Sequence, residues 1–261
     1  MAKKLILKFL RSAGYDLVKT NTSKKTKYST ELEFFETKTG NYYLPKHAPN
    51  DIISNTIKSD KIFDHDIYDI ASKYVIKGST VLDVGSNFGQ MAILFSELTG
   101  KDGTVHAFDA DDFVFSILQK NIEANGKPNI FAHFGAVHDK NDETLYFPIQ
   151  DFKRFTTFGS YGIDYKNKQG RPVNTITIDS LNIQEPISFM KIDVQGGDLF
   201  ALKGAKQTIL KHKMPILFEY EYLFEDELNL CFQDYIDFVK EINYKFSKVI
   251  NGQNYLILPI E

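Results

Sequence analysis

The stretch "VLDVGSNFGQ", residues 81–90, constrains this chain most. Apolar and β-branched residues run straight into Gly85, a second glycine follows at Gly89, and helical spacing takes over across "FGQMAILFSEL" (88–98). That reads as a buried strand turning through glycine into a helix. The pattern then recurs. Strands are predicted at 80–85, 104–110, "NIFAHFGAV", "ETLYFP", "SFMKIDV" and "PILFEY", with helices over 88–98, 112–125 and 198–211 between them. Strand and helix taking turns at this spacing imply parallel βαβ units in a doubly wound α/β sheet. At the C-terminal end, "FQDYIDFVKEI" is helical and "YKFSKVI-NGQ-NYLILPI" reads as two strands about a turn. An antiparallel hairpin should therefore close one sheet edge. With 261 residues, 43% of them hydrophobic, the chain can bury one large core. The expected organisation is an N-terminal extension, 1–56, packed on a single domain, 57–261.

In open α/β sheets the ligand lies beyond the carboxyl ends of the strands, where strand order reverses. Gly85 and Gly89 sit at such a turn. Gly85 suits a backbone angle or close approach that a Cβ would block, and Gly89 lets the next helix come near ligand and strand. Their spacing is G-x-x-x-G, so the middle glycine that makes room for a pyrophosphate is absent. Asp109 ends the second strand, where a carboxylate can accept hydrogen bonds from both hydroxyls of a ribose. The ligand is expected to be a nucleoside without a diphosphate.

Asp83, Gly85 and Gly89 resemble the D-x-G-x-x-x-G motif of seven-stranded S-adenosylmethionine-dependent methyltransferases. The likeness sharpens at "TITIDSLNIQEPISFMKIDVQGGDLFALKGA", residues 175–205, which resembles the signature of the FkbM family: T-hydrophobic-D-S-L, then K-I-D-V-E-G-x-E, then L-K-G-A. It covers about Ile57 to Glu219. The resemblance implies a Rossmann-like, doubly wound, seven-stranded sheet and S-adenosyl-L-methionine as cofactor. Matched positions imply cofactor contacts at Asp83, Gly85, Asn87, Gly89, Asp109, Ala110, Gly135 and Asp193. The chain departs from the pattern at Gln195, which replaces a glutamate, Gly197, which replaces another small residue, and Asp198, which replaces a second glutamate, and its second strand ends in "FDADD" where "FEP" is usual, with Asp109 keeping the carboxylate. An amide at 195 can bind but cannot take a proton.

Transfer of a methyl group to a hydroxyl releases a proton, so a nearby carboxylate helps. Asp193, at the end of "FMKID", is the first candidate base, with Glu219 on the next strand as the second. Asp193 could equally cap the helix starting near Gly197. Glu219 and Glu221 could join Asp193 around a cation, but a metal-free site is preferred. Lys191 is expected to be structural or to position the acceptor.

Residues 148–172 break the strand-helix rhythm. Phe152, Phe155, Phe158, Tyr161 and Tyr165 alternate there with Lys153, Arg154, Lys166, Lys168 and Arg171. Long irregular insertions tend to be functional. With Gln195, the residues Phe158, Tyr161 and Arg154 are the expected acceptor contacts, aromatic faces for a sugar ring and a cation for an acid group. A plain cover for the sheet edge is the competing reading.

A net charge of −3 attracts no polyanion, and nucleic acid is not the expected partner. Residues 1–28 carry a basic amphipathic pattern suited to a solvated helix face or to weak contact with an anionic membrane surface. The lone Cys231 and the lack of a long apolar run lead to a cytoplasmic expectation. The leading function is an O-methyltransferase for a hydroxyl of a sugar, glycan or other small molecule. The alternatives are an RNA methyltransferase and a nucleoside-binding module without catalysis.

Overall fold

The structure is a computed structural model and describes residues 31–46, 48–149, 157–159, 161–166 and 169–260. Arg154 and the basic segment 1–28 lie outside the described residues.

The described residues open with a hairpin of β1 (Leu32–Thr37) and β2 (Gly40–Pro45), then α1 (Ile52–Lys58) and α2 (His65–Tyr74). The sequence pattern predicts none of these four, three of which are only six or seven residues long. β3 (Thr80–Val84) is buried along its whole length, as a central strand covered on both faces must be. There follow α3 (Gln90–Thr99), β4 (Thr104–Asp109), α4 (Asp112–Ala124) and β5 (Ile130–Phe134). The run "NIFAHFGAV" is not one strand. At Gly135 the chain leaves the main sheet, and β6 (Ala136–Val137) joins β8 (Arg171–Ile176) and β7 (Thr144–Phe147) in a separate three-stranded sheet ordered β6-β8-β7.

After β9 (Ile187–Ile192), the helix expected over 198–211 is likewise two, α5 (Asp198–Gly204) and α6 (Lys206–His212). Two contacts explain the break. A Cβ on Gly204 would lie 1.9 Å from the His138 carbonyl oxygen, so α5 ends pressed against another backbone. The Asp179 carboxylate then accepts the Gln207 and Thr208 amides at 3.0 and 2.8 Å, capping α6. The aspartate of "IDSL" thus has a structural task. β10 (Ile216–Glu219), the one-turn α7 (Glu225–Leu228), α8 (Phe232–Glu241), β11 (Tyr244–Ile250) and β12 (Asn254–Pro259) complete the chain.

The main sheet has the order β11-β12-β10-β9-β3-β4-β5. β5, β4, β3, β9 and β10 run parallel, and β12 pairs antiparallel with both β10 and β11, so the C-terminal hairpin closes that edge. Strand order reverses at β3/β9, where Val84 lies opposite Ile192. The ends of these two strands therefore emerge side by side, with Gly85 beside Asp193. The N-terminal hairpin is clamped to α4 by two asparagine side chains. Asn121 accepts the Tyr43 amide at 2.6 Å, and Asn125 accepts the Asn41 amide at 2.8 Å and donates back to its carbonyl at 2.6 Å. Tyr42 and Leu44 thereby enter the same apolar core as Val81, Phe95 and Ile117. No helix among the described residues is long and apolar enough to cross a membrane.

Candidate active site

A cavity of about 350 Å³ opens over the carboxyl ends of β3, β4, β9 and β10. Gly85, Asn87, Asp109, Ala110, Gly135, Asp193, Gln195, Glu219, Phe158 and Tyr161 all line it. Asp83 and Gly89 are not on its wall: Asp83 is fully buried beneath it, and Gly89 starts α3.

The two glycines are bare for reasons internal to the protein. Gly85 has φ 82°, and a Cβ there would stand 1.8 Å from the Asp193 carbonyl oxygen. Gly89 has φ 85°, and its Cβ would meet Leu118 Cδ1 of α4 at 2.6 Å. The expected close approach is therefore made by β9 and α4.

At the end of β4, Asp109 accepts the Asn87 amide on Oδ2 at 2.9 Å and the Asp111 amide on Oδ1 at 3.0 Å. Each carboxylate oxygen keeps lone-pair capacity for a further donor. Burial pushes the Asp109 carboxyl up to about 7, although the two amides pull the other way. Asp111 caps α4 through the Phe113 and Val114 amides at 2.9 Å and also holds the Tyr161 hydroxyl and the Arg171 guanidinium.

The described residues of the insertion are fastened down at several points. Phe158 is 4% exposed, wedged between Phe88 and Phe113 with ring centroids 5.7 Å from each. Its amide donates to Asp51 Oδ2 at 2.6 Å, and its carbonyl accepts Asn87 Nδ2–H at 3.0 Å. Tyr161 packs edge-on to Phe147. Phe158 thus lends the cavity an edge and belongs to the apolar core, where no open ring face is left for stacking. Tyr165 lies close enough to Gly197 that a Cβ there would come within 2.9 Å of its hydroxyl.

At the opposite end, Lys191 is buried. Its Nζ donates to the Gly85 carbonyl at 3.2 Å and lies 3.4 Å from Asp193 Oδ2 and 3.7 Å from Asp83 Oδ1. Burial alone would lower its pKa, but the carboxylates of Asp193, Asp83 and Asp64 more than reverse that, and it stays charged. Both Asp83 oxygens are buried without a hydrogen-bond donor, and burial raises its carboxyl against the pull of Lys191.

Gln195, in the left-handed region at φ 51°, donates its amide to Asp193 Oδ1 and to Glu219 Oε2, each at 3.3 Å. Burial and then the Asp193 charge raise the Glu219 carboxyl far above the carboxylate range, favouring its protonated form.

Asp64 escaped the sequence reading. It precedes α2 at φ 54° and lines the cavity. Gln90 places it, accepting the Phe63 amide at 2.9 Å while donating to the Lys61 carbonyl at 2.9 Å. Burial and the charge of Asp193 push Asp64 up to about 6. No motif marks it, since "SDKIFDHDIYD" offers several equivalent acids.

This sheet order, with a carboxylate-lined cavity at the reversal point, defines a Rossmann-like methyltransferase fold. The chain belongs to the FkbM methyltransferases: the Methyltransferase FkbM domain matches residues 83–246, and S-adenosyl-L-methionine is the cofactor. A comparison with functionally curated proteins returns no match. Among solved structures, an FkbM methyltransferase from Methylobacillus flagellatus is 17% identical over 70% of this chain, with a TM-score of 0.47. The chain spans 44% of that protein's length. A protein from Clostridium thermocellum named for rRNA methylation is 13% identical, covering 76% of this chain and 95% of its own, TM-score 0.47. A Streptococcus mutans methyltransferase in complex with S-adenosylhomocysteine is 15% identical, covering 74% and 94%, TM-score 0.43. These identities bear on the fold alone.

The cavity suits the cofactor. Its glycine turn has no pyrophosphate cradle, and Asp109 keeps acceptor capacity for a ribose.

Proposed function

We propose that the protein is an O-methyltransferase acting on a hydroxyl of a sugar, glycan or other small molecule. One observation carries this reading: Asp193 and Glu219 stand together on the cavity wall, linked by the Gln195 amide. The cofactor supplies a methyl group on a positively charged sulfur. The chain must then hold an acceptor oxygen in line, exclude water and receive one proton. Glu219 is held protonated and is a poor acceptor for that proton. Asp193 takes it, while Gln195 and Lys191 fix its orientation. Lys191 is the one cation among the described lining residues and is already paired with Asp193 and Asp83, so the pocket offers no free cation to a phosphate backbone and disfavours RNA.

The test is transfer from S-adenosylmethionine to a panel of hydroxyl compounds and to RNA, read as S-adenosylhomocysteine formed and a gain of one methyl in product mass. Transfer confined to RNA, or to amines alone, sinks the reading.

In the same reading Asp109 holds the ribose. Asp109→Ala is expected to weaken S-adenosylhomocysteine binding by about 1–3 kcal/mol through loss of charge-assisted hydrogen bonds. The wild-type affinity should also fall as pH drops through about 7, because ribose hydroxyls favour the ionised form and Asp109 takes up a proton there. Calorimetry across pH 5 to about 9 reads both effects. A flat profile with unchanged affinity in the variant moves the ribose elsewhere.

A further inference from the structure

We propose that the acceptor lies against the turn between β11 and β12, where the side-chain amides of Gln253 and Asn254 hold a hydroxyl beside the one that is methylated, so that the acceptor is a neutral polyol such as a sugar. This rests on the O-methyltransferase reading and adds to it the wall that selects the acceptor.

Strand order assigns the two ends of the cavity. In that reading Asp109 on β4 holds the ribose, and the cofactor's sulfur is one methylene away from the ribose ring. The methyl group is therefore delivered near the ends of β3 and β9, at Gly85 and Asp193. Beyond β9 come β10 and β12, whose ends lie about 5 and 10 Å further along the sheet. The cavity reaches both. The lining residues that β10 and the hairpin contribute are Glu219, Asn251, Gln253 and Asn254, and every one of them carries a carboxyl or an amide.

Register fixes the direction of Asn254. It pairs directly with Glu219, and residues opposite one another in an antiparallel pair share a face of the sheet. Glu219 is on the cavity face, where it accepts the Gln195 amide. The preceding pair, Phe218 and Tyr255, is on the other face, with ring centroids 5.7 Å apart and Tyr235 of α8 stacked 5.3 Å from Phe218. Asn254 is half-buried and Gln253 exposed, and among the described residues neither side-chain amide has a hydrogen-bond partner. The turn itself is held in place. Asn251 and Gly252 pass through the left-handed region at φ 51° and 76°, the Gln253 carbonyl accepts the Tyr220 amide at 2.8 Å, and Asn251 Nδ2 donates to Asp66 Oδ2 of α2 at 3.3 Å.

A side-chain amide donates and accepts at one position, as a hydroxyl does, so two amides beside a carboxyl match a run of neighbouring hydroxyls. The same wall offers a phenol no ring face and an acid group no cation.

The test titrates the methyl glycosides of glucose, galactose and mannose, the methyl glycoside of glucuronic acid, and catechol into protein saturated with S-adenosylhomocysteine, followed by ligand-observed NMR. At least one neutral glycoside is expected to bind about fivefold or more tightly than the uronic acid and catechol. Asn254→Ala and, separately, Gln253→Ala should each weaken that binding about threefold or more, as loss of one hydrogen bond does, with S-adenosylhomocysteine affinity within about twofold of wild type. Gln253 lies outside the paired strands, so its variant reports the contact without disturbing the hairpin. The inference is overturned by acid or catechol binding as tight as any neutral glycoside, by no detectable glycoside binding, by unaltered binding in either variant, or by a loss that falls on S-adenosylhomocysteine. Methyl transfer confined to amines, with this order and both variant effects intact, would remove the O-methyltransferase reading and leave the polyol wall standing.

Discussion

Asp193→Asn is expected to lower turnover about a hundredfold or more while S-adenosylhomocysteine affinity is nearly retained. The exchange keeps the shape of the side chain and removes its capacity to take a proton. Gln195 and Lys191 remain in place around it. Glu219 cannot step in at neutral pH, because burial and the Asp193 charge hold it protonated. Removing that charge eases Glu219 toward ionisation. Residual activity of the variant should therefore rise with pH more steeply than wild-type activity, which a merely structural Asp193 would not produce. The measurement is kcat and KM across pH on one accepted hydroxyl substrate, with calorimetry as the control on cofactor affinity. Turnover near wild type would make Asp193 a fixture of the Gly85 turn and leave the base to be found elsewhere.

The parts of this site written in local sequence were legible, and those set by packing were not. The glycine turn after β3, the carboxylate ending β4 and the aspartate after β9 all follow from strand-end positions, which periodicity locates well. Local pattern did not show what the glycines avoid. Gly85 yields to a carbonyl 108 residues later in the chain (193 − 85), and Gly89 to a leucine of α4. Nor did composition separate the two uses of an aromatic: Phe158 looked like a platform for a sugar ring and is a core residue, because Asp51 and Asn87 pin its backbone between two other rings. Gly135 and Ala205 each interrupt what reads as one element, since β6 is claimed by a second sheet and Asp179 caps a new helix. Asp64 had no signal, because its place depends on Gln90 reaching back from α3.

Gly85→Ala is expected to be among the costliest single methyl additions in the chain, above about 4 kcal/mol. The backbone angle contributes part of it, since φ 82° costs an alanine roughly 1–2 kcal/mol. The greater part is contact. The new Cβ would lie 1.8 Å from the Asp193 carbonyl oxygen and 2.8 Å from its carbon, and neither is a flexible side-chain end that can turn aside. Retreat is blocked on both strands. The Asp193 amide donates to the Val84 carbonyl at 3.0 Å, Val84 pairs with Ile192, the Gly85 amide donates to the Phe108 carbonyl at 3.0 Å, and the Gly85 carbonyl accepts Lys191 at 3.2 Å. Gly78→Ala separates the two contributions. Gly78 has the same φ of 82° with nothing within 4 Å of its added Cβ, so its variant should lose only the backbone part, about 1–2 kcal/mol. Urea midpoints of the two variants measure the difference directly. If Gly85→Ala loses no more stability than Gly78→Ala but no longer binds S-adenosylhomocysteine, the glycine is there to clear the ligand. A stability loss well beyond that of Gly78→Ala locates its purpose in the join between β3 and β9, on which Asp193 depends for its position.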